Sequence, residues 1–408
     1  GAELLERVRT FISDEISPIE ESYRAEVAAL RAGAGDPWTP LPILDELRAK
    51  ARAAGLWNLF LPAEHAGDYA ARFGTDGGRG LSNVDYAPIA EETGRSEIAP
   101  HVFNCNAPDS GNMEVLLRYG TEEQRARWLE PLLAGSIRSA FVMTEPGVAS
   151  SDATNMAATA YSDGDDIVLN GRKWWSTGIG HPDCELLIFM GLSNPEAPRR
   201  SRHTMVLVPR STPGVIVERM LPSMGLYDEP FGHGEVSFTD VRVPASNVLL
   251  GHGRAFEIAQ GRLGPGRVHH CMRLIGLAEM ALELACRRGR DRHAFGRPII
   301  ELGGNRERIA KARIAIDTAR LLVLNAAWKL DTVGSSGALG EVSQIKAHVP
   351  TAVQEVIDFA IQIHGGGGLS DDFPLAVGWM LARQLRLADG PDEVHLGVIS
   401  KLELAKYA

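Results

Sequence analysis

The chain has 408 residues, 44% of them apolar and 23% charged, and 42 Lys and Arg against 52 Asp and Glu leave a net charge of −10. That length is enough for two or three domains with large cores, and that charge is the wrong sign for a general nucleic-acid binder. The four cysteines, Cys105, Cys184, Cys271 and Cys286, form no CxxC pair, which argues against a structural zinc or a disulfide framework. No apolar run reaches the roughly 18 residues of a membrane span, and the opening GAELLERVRTFISDE is charged rather than signal-like. The expectation is a cytoplasmic protein, if the source is bacterial.

Residues 1–137 read as mostly helical. The stretch 42–55 puts Ile43, Leu44 and Leu47 on one face and ends at Gly55, a C-terminal stop. Thr121 with Gln124 three residues on is a capping-box pattern. Between them, residues 73–80 form a Gly-rich loop. From 138 to 248 the apolar residues come in short runs, as in 167–169, 186–190, 205–208, 215–217 and 236–243, the pattern of a small antiparallel barrel or sandwich. Asn170-Gly171 reads there as a hairpin turn. Residues 249–408 return to helix. Ile309, Ile316, Val323 and Leu330 sit seven apart with Ala312, Ala319 and Ala326 between them, one long apolar stripe. Further helices are expected over 267–287 and 342–363, the second kinked at Pro350. Helix, then sheet, then helix is an α+β architecture. GxGxxG, GxxxxGK[ST], GxSxG and HExxH motifs are all absent from the sequence, which removes the usual support for Rossmann, P-loop, α/β-hydrolase and zincin chemistry.

Six stretches could carry chemistry. FVMTEPGVASSDAT (141–154) reads as a strand, a Pro-Gly turn and a Ser-Asp helix cap, or as a loop whose backbone and hydroxyls bind a planar heterocycle. In NGRKWWSTG (170–178), a strand would send Trp174 and Trp175 to opposite faces, one to the core and one over a ligand. RLGPGR (262–267) reads as a helix start with a cation in its first turn, disfavoured by the helix dipole unless an anion is present. RHAFGRP (292–298) ends a helix, and its Arg suits a pyrophosphate. QIHGGGGLS (362–370) has more glycines than one cap needs, leaving backbone open to a ligand. LRLADGPDEVH (385–395) reads as a helix start with Pro391 at its first position, or as a carboxylate, Asp389, placed as a general base. His269-His270-Cys271 does not suit a metal, because adjacent helix residues diverge by about 100°. Arg199, Arg200 and Arg202 form a basic loop that is solvated or meets a phosphate group.

Taken in this order, the six segments resemble the acyl-CoA dehydrogenase family over essentially the whole chain. ASSDATN and LADGPDEVH resemble most closely the subgroup of acyl-CoA dehydrogenase family members ten and eleven. The resemblance implies an N-terminal helical domain (1–137), a middle antiparallel β-barrel domain (138–248) and a C-terminal four-helix bundle (249–408), assembled as a homodimer or homotetramer. It implies FAD between the middle and C-terminal domains. Phe141, Met143, Thr144, Ser150, Ser151, Trp175, Ser176 and Thr177 would line the isoalloxazine ring. Arg292, Phe295, Gln362, Gly365 and Gly366 would reach the rest of FAD across a subunit interface, with Pro391, Asp392 and Glu393 also against it. Ser151, Gly264, Pro265, Gly266, Arg267 and Gly390 would contact the acyl-CoA. Asp389 stands where the family base is typically Glu, and an alternative family base position falls on Gly266, which cannot serve.

The activity so implied is α,β-dehydrogenation of an acyl-CoA thioester to the trans-2-enoyl-CoA, of the fatty acid β-oxidation type. Electrons would pass to an electron-transfer flavoprotein. Two other chemistries share the fold: a flavin oxidase acting on nitroalkanes or acyl-CoA, and a non-enzymatic DNA-binding flavoprotein of the alkylation-response type. The net charge and the lack of a basic C-terminal extension disfavour the last.

Overall fold

A computed structural model of the chain describes residues 1–75 and 80–408; the middle of the Gly-rich stretch, 76–79, lies outside the described residues. The chain forms two compact units that do not follow sequence order. One comprises residues 1–17, 81–100 and 267–408, the other residues 18–80 and 101–266.

The second unit holds seven strands: β1 Arg138–Val142, β2 Thr159–Asp163, β3 Asp166–Thr177, β4 Cys184–Leu192, β5 His203–Pro209, β6 Val215–Met220 and β7 His233–Pro244. They form one sheet in the order β1-β4-β2-β3-β7-β6, with β5 also paired to β4. The sheet is mixed rather than purely antiparallel, because β1 and β2 both run parallel to β4. Its core is a cluster of fully buried apolar side chains that includes Val142, Leu169, Leu187, Phe189, Val206 and Phe238. Every apolar run expected as a strand lies in one.

Asn170-Gly171 is not a hairpin turn. The β2–β3 turn comes earlier, where Asp163 pairs with Asp166 and Gly164 takes φ 62°. β3 runs straight through Asn170-Gly171, and the ladder to β7 shifts register there. Gly171 takes φ 142°, which a bulge uses instead of a turn. A Cβ on Gly171 would come within 2.5 Å of the Ala158 Cβ. Asn170 clamps the bulge to β7: its amide donates to Asp240 Oδ1 at 3.1 Å and its Oδ1 accepts from Asp240 N at 2.8 Å.

Around the sheet, the helix Pro42–Ala53 buries Leu44 and Leu47, and Gly55 follows at φ 67°. The capping box is formed in full: Gln124 N donates to Thr121 Oγ1 at 3.2 Å and Thr121 N to Gln124 Oε1 at 3.1 Å. Asp109 opens the helix Asp109–Tyr119 and is buried. It accepts from Ser139 N at 2.8 Å and Ser139 Oγ at 2.7 Å, and Arg138 lies 3.3 Å away.

The first unit is helical. Its long helices are Asn83–Thr93, the part of Ala255–Asp291 from residue 267 on, Asn305–Gly337, Leu339–His364, Leu375–Gln384 and Asp392–Leu404. The stripe on Asn305–Gly337 is buried at Ala312, Ile316, Ala319, Val323, Ala326 and Leu330. Polar ties reinforce this packing: Arg320 donates to both carboxylate oxygens of Glu91, at 2.9 and 2.8 Å, and Asp331 accepts from Asn83 N and Val84 N at the start of their helix. Leu339–His364 continues through Pro350 as one helix, and it is Asn305–Gly337 that breaks, at Gly334 with φ 70° and ψ 178°. Among the described residues no helix is long and apolar enough to cross a membrane.

Candidate active site

In the sheet unit, the loop after β1 is fixed by a buried ion pair. Lys173 is fully buried, and its ammonium donates to Glu145 Oε1 at 2.7 Å, Met143 O at 2.9 Å and Met190 O at 2.7 Å. Glu145 also accepts from Ala157 N at 2.9 Å and Ala158 N at 3.0 Å. Burial pulls the Lys173 pKa down to about 8, against the opposing pull of Glu145. Three donors and two oxygens are thereby satisfied, as a buried charge pair requires. The result pins Met143 and Thr144, with Trp174 N donating to Thr144 O at 2.9 Å. Ser150 Oγ accepts from Glu145 N at 2.9 Å, whereas Ser151 is exposed. No helix follows Asp152: its carboxylate accepts from Thr154 N at 3.0 Å and closes a turn, with Arg199 as ion partner.

Trp174 and Trp175 do not simply alternate. β3 shifts register between Lys173 and Ser176, and Trp175 takes φ 52° with 38% of its surface exposed. The two indoles meet edge to face at 6.4 Å. Ser176 Oγ and Trp174 Nε1 are buried with no hydrogen-bond partner among the described residues. Thr177 Oγ1 lies 2.9 Å from His233 Nδ1, its register partner on β7. Burial lowers the pKa of His233 to about 4.

Phe141 is half-buried under the Arg262 guanidinium, 4.1 Å from its ring centroid, and Arg262 Nε donates to Asn112 Oδ1 at 3.1 Å. Nearby Glu114 is buried, and desolvation raises its pKa to about 8 against the pull of Arg118 and Arg262.

Gly264-Pro265-Gly266-Arg267 does not begin a helix. It lies inside Ala255–Asp291, so the dipole argument for an anion at Arg267 fails. Pro265 has no N–H for the carbonyl of Gly261, and Arg118 takes that role, its guanidinium 3.4 Å from Gly261 O.

In the helical unit, Asp389 and Gly390 form the turn before Asp392–Leu404, with φ of 56° and 103°. Pro391 is the N-cap of that helix rather than its first residue, and Asp392 and Glu393 supply the acidic first turn. Arg267 Nε donates to Asp389 O at 2.8 Å, and His395 Nε2 lies 3.3 Å from the same oxygen. The Asp389 carboxylate, 17% exposed, faces His270, with Oδ2 3.6 Å from Nε2. Burial lowers the pKa of Arg267, and takes His395 to about 4, helped there by Arg267 and Lys346. Lys346 donates to the carbonyl of Leu385, and Arg386 Nε to Asp392 Oδ2 at 2.8 Å. His269 packs edge-on against Tyr86 at 4.9 Å.

The remaining positions are surface features of the helical unit. Arg292 is exposed, and Phe295 and Gly296, at φ 52° and 77°, turn a small hairpin that leaves Phe295 94% exposed. Gln362 is exposed, Gly365 ends its helix at φ 62°, and nothing lies within 4 Å of a Cβ built on Gly365 or Gly366.

The expected site residues therefore form two organised clusters, one around Lys173 and Thr177 in the sheet unit and one around Asp389 in the helical unit. His233, Arg262, Glu114, His270, Lys346 and His395 were not anticipated. Arg262 and His395 lie inside the quoted stretches RLGPGR and LRLADGPDEVH, and His270 in the His269-His270-Cys271 run; His233, Glu114 and Lys346 enter through strand register or helix crossing.

Profiles of the acyl-CoA dehydrogenase N-terminal, middle and C-terminal domains match residues 2–136, 140–241 and 253–403. A solved Mycobacterium abscessus structure that carries the provisional name of an acyl-CoA dehydrogenase is 65% identical, with a TM-score of 0.94 over 100% of this chain and 98% of that one. The Mycobacterium tuberculosis protein FadE2, named a probable acyl-CoA dehydrogenase, is 50% identical over 98% of this chain and 94% of its own length. Mouse acyl-CoA dehydrogenase family member 11 is 50% identical over 100% of this chain, which spans 51% of that protein. The chain belongs to the acyl-CoA dehydrogenase family, and its likeness to family members 10 and 11 matches the motif reading.

Proposed function

We propose that the chain catalyses FAD-dependent α,β-dehydrogenation of an acyl-CoA thioester to the trans-2-enoyl-CoA, with Asp389 as the base. The observation that carries this reading is the turn at Asp389: a single carboxylate, largely shielded, on a left-handed backbone that Arg267 and His395 hold by its carbonyl. An aqueous Asp, with a pKa of about 3.9, is a weak base, so fixed orientation and exclusion of water must do much of the work.

FAD, when bound, accepts the hydride that leaves the β-carbon. Phe141, Met143, Thr144, Ser150, Ser151, Trp175, Ser176 and Thr177 hold its ring in this proposal. The fit is supported by Ser176 Oγ, a buried hydroxyl with no hydrogen-bond partner among the described residues, and by a Met143–Thr144 backbone that the Lys173–Glu145 pair keeps rigid. Arg292, Phe295, Gln362, Gly365, Gly366, Pro391, Asp392 and Glu393 serve the rest of the cofactor. The open backbone at Gly365 and Gly366 suits close approach. An almost fully exposed Phe295 beside Arg292 fits a homodimer or homotetramer in which this hairpin meets a second copy. Ser151, Gly264, Pro265, Gly266, Arg267 and Gly390 contact acyl-CoA, and Asp389 takes the α-proton. Electrons then pass to an electron-transfer flavoprotein.

Anaerobic titration of the purified protein with acyl-CoAs of graded length tests this. Bleaching of the flavin absorbance with formation of the enoyl-CoA is the expected result. A flavin that no acyl-CoA reduces would refute the proposal, and rapid reoxidation in air without a partner would mark an oxidase instead.

A further inference from the structure

We propose that His233 is a positioning residue that fixes which way the Thr177 hydroxyl points, so that Thr177 meets the redox edge of FAD as a hydrogen-bond acceptor. This rests on the reading above that Thr177 lies along the isoalloxazine ring.

Thr177 and His233 are direct partners in the β3–β7 ladder, so their side chains share a face of the sheet, and Thr177 Oγ1 lies 2.9 Å from His233 Nδ1. The imidazole is 11% exposed, and burial keeps it neutral at pH 7. A neutral imidazole has one donor and one acceptor nitrogen. In this proposal the ring hydrogen sits on Nε2, the side on which Asp228 Oδ2 lies 3.9 Å away. Nδ1 is then the acceptor, and the single Thr177 hydroxyl hydrogen is committed to it. What Thr177 presents elsewhere is lone pairs. The Trp175 ring, 5.5 Å from the imidazole, packs beside this pair.

The consequence for a flavin follows from its own protonation. The ring nitrogen that takes up hydrogen on reduction is an acceptor when oxidised and a donor when reduced. A hydroxyl that can only accept favours the reduced form. A hydroxyl free to rotate can donate to the oxidised form and loses that bias.

The test compares His233→Phe and His233→Leu, which remove the nitrogen, with His233→Asn, which restores an acceptor, and with Thr177→Val. FAD content, melting temperature and the flavin midpoint potential by dye equilibration are read for each holoprotein. Removal of the nitrogen should lower the preference for reduced over oxidised FAD about fivefold, the worth of one neutral hydrogen bond. His233→Asn should restore it. Thr177→Val should lower it alike, and adding His233→Phe to Thr177→Val should change nothing more. If Thr177→Val shifts the potential but both His233 removals leave it at the wild-type value, the proposal falls while the flavin placement stands. If no variant shifts it, the flavin does not lie against Thr177 and both fail.

Discussion

Arg267 Nε donates to the main-chain oxygen of Asp389 at 2.8 Å, so this cation grips the backbone of the proposed base. A non-glycine residue at φ 56° costs about 1 kcal/mol or more, and such a conformation persists only when neighbours over-determine it. Arg267 and His395 converge on that carbonyl, and Gly390 follows at φ 103° with a Cβ position 2.9 Å from His395 Nε2. The direction of the side chain is thus set by main-chain contacts, and its carboxylate faces His270.

Asp389→Asn should keep FAD and the fold while lowering turnover by about 10²–10⁴, the usual worth of a positioned base. Stopped-flow bleaching with a reactive acyl-CoA measures it, and near-wild-type rates would remove Asp389 from the role.

Gly390→Ala should disturb the aim without deleting the carboxylate. Strained φ and the clash with His395 predict at least about a tenfold slower reduction at unchanged FAD content. The bleaching rate at saturating substrate reads the effect directly.

Glu114→Gln should change the pH dependence of stability. Burial raises the folded-state pKa of Glu114 to about 8, so the folded chain holds this proton between its ordinary carboxylate range and pH 8. The stability it contributes is full below about pH 4.5 and lost as pH rises through 8. Urea unfolding should show wild type and variant alike at pH 4.5, and the variant more stable by on the order of 4 kcal/mol at pH 9.

Lys173→Met should destabilise by about 3–5 kcal/mol, since it strands the buried Glu145 carboxylate. Adding Glu145→Gln should recover part of that loss in denaturant unfolding. FAD retention should fall with Lys173→Met, because Met143 loses its tether.

The sequence carried the architecture and the locations of the motifs, because apolar periodicity and local turn chemistry are written in short windows. Thr121 and Gln124 cap as their spacing says. Asn170-Gly171 shows the limit: the dipeptide announces positive φ, but only the Ala158 contact and the Asp240 partner decide that a bulge uses it. Gly264-Pro265-Gly266 reads as a helix start, yet it lies inside one long helix. The partners of the site were illegible for the same reason. His233 meets Thr177 through strand register across 56 positions of sequence, and His395 and Arg267 reach the Asp389 carbonyl through tertiary approach.

The carbonyl that Pro265 cannot serve has a wider meaning for how this chain assembles. A helix whose backbone ladder is interrupted by a proline is weaker by itself than one with every carbonyl paired. Around Gly261 the long helix therefore gains from the docking of the segment bearing Arg118, whose guanidinium serves the carbonyl that the ladder leaves open.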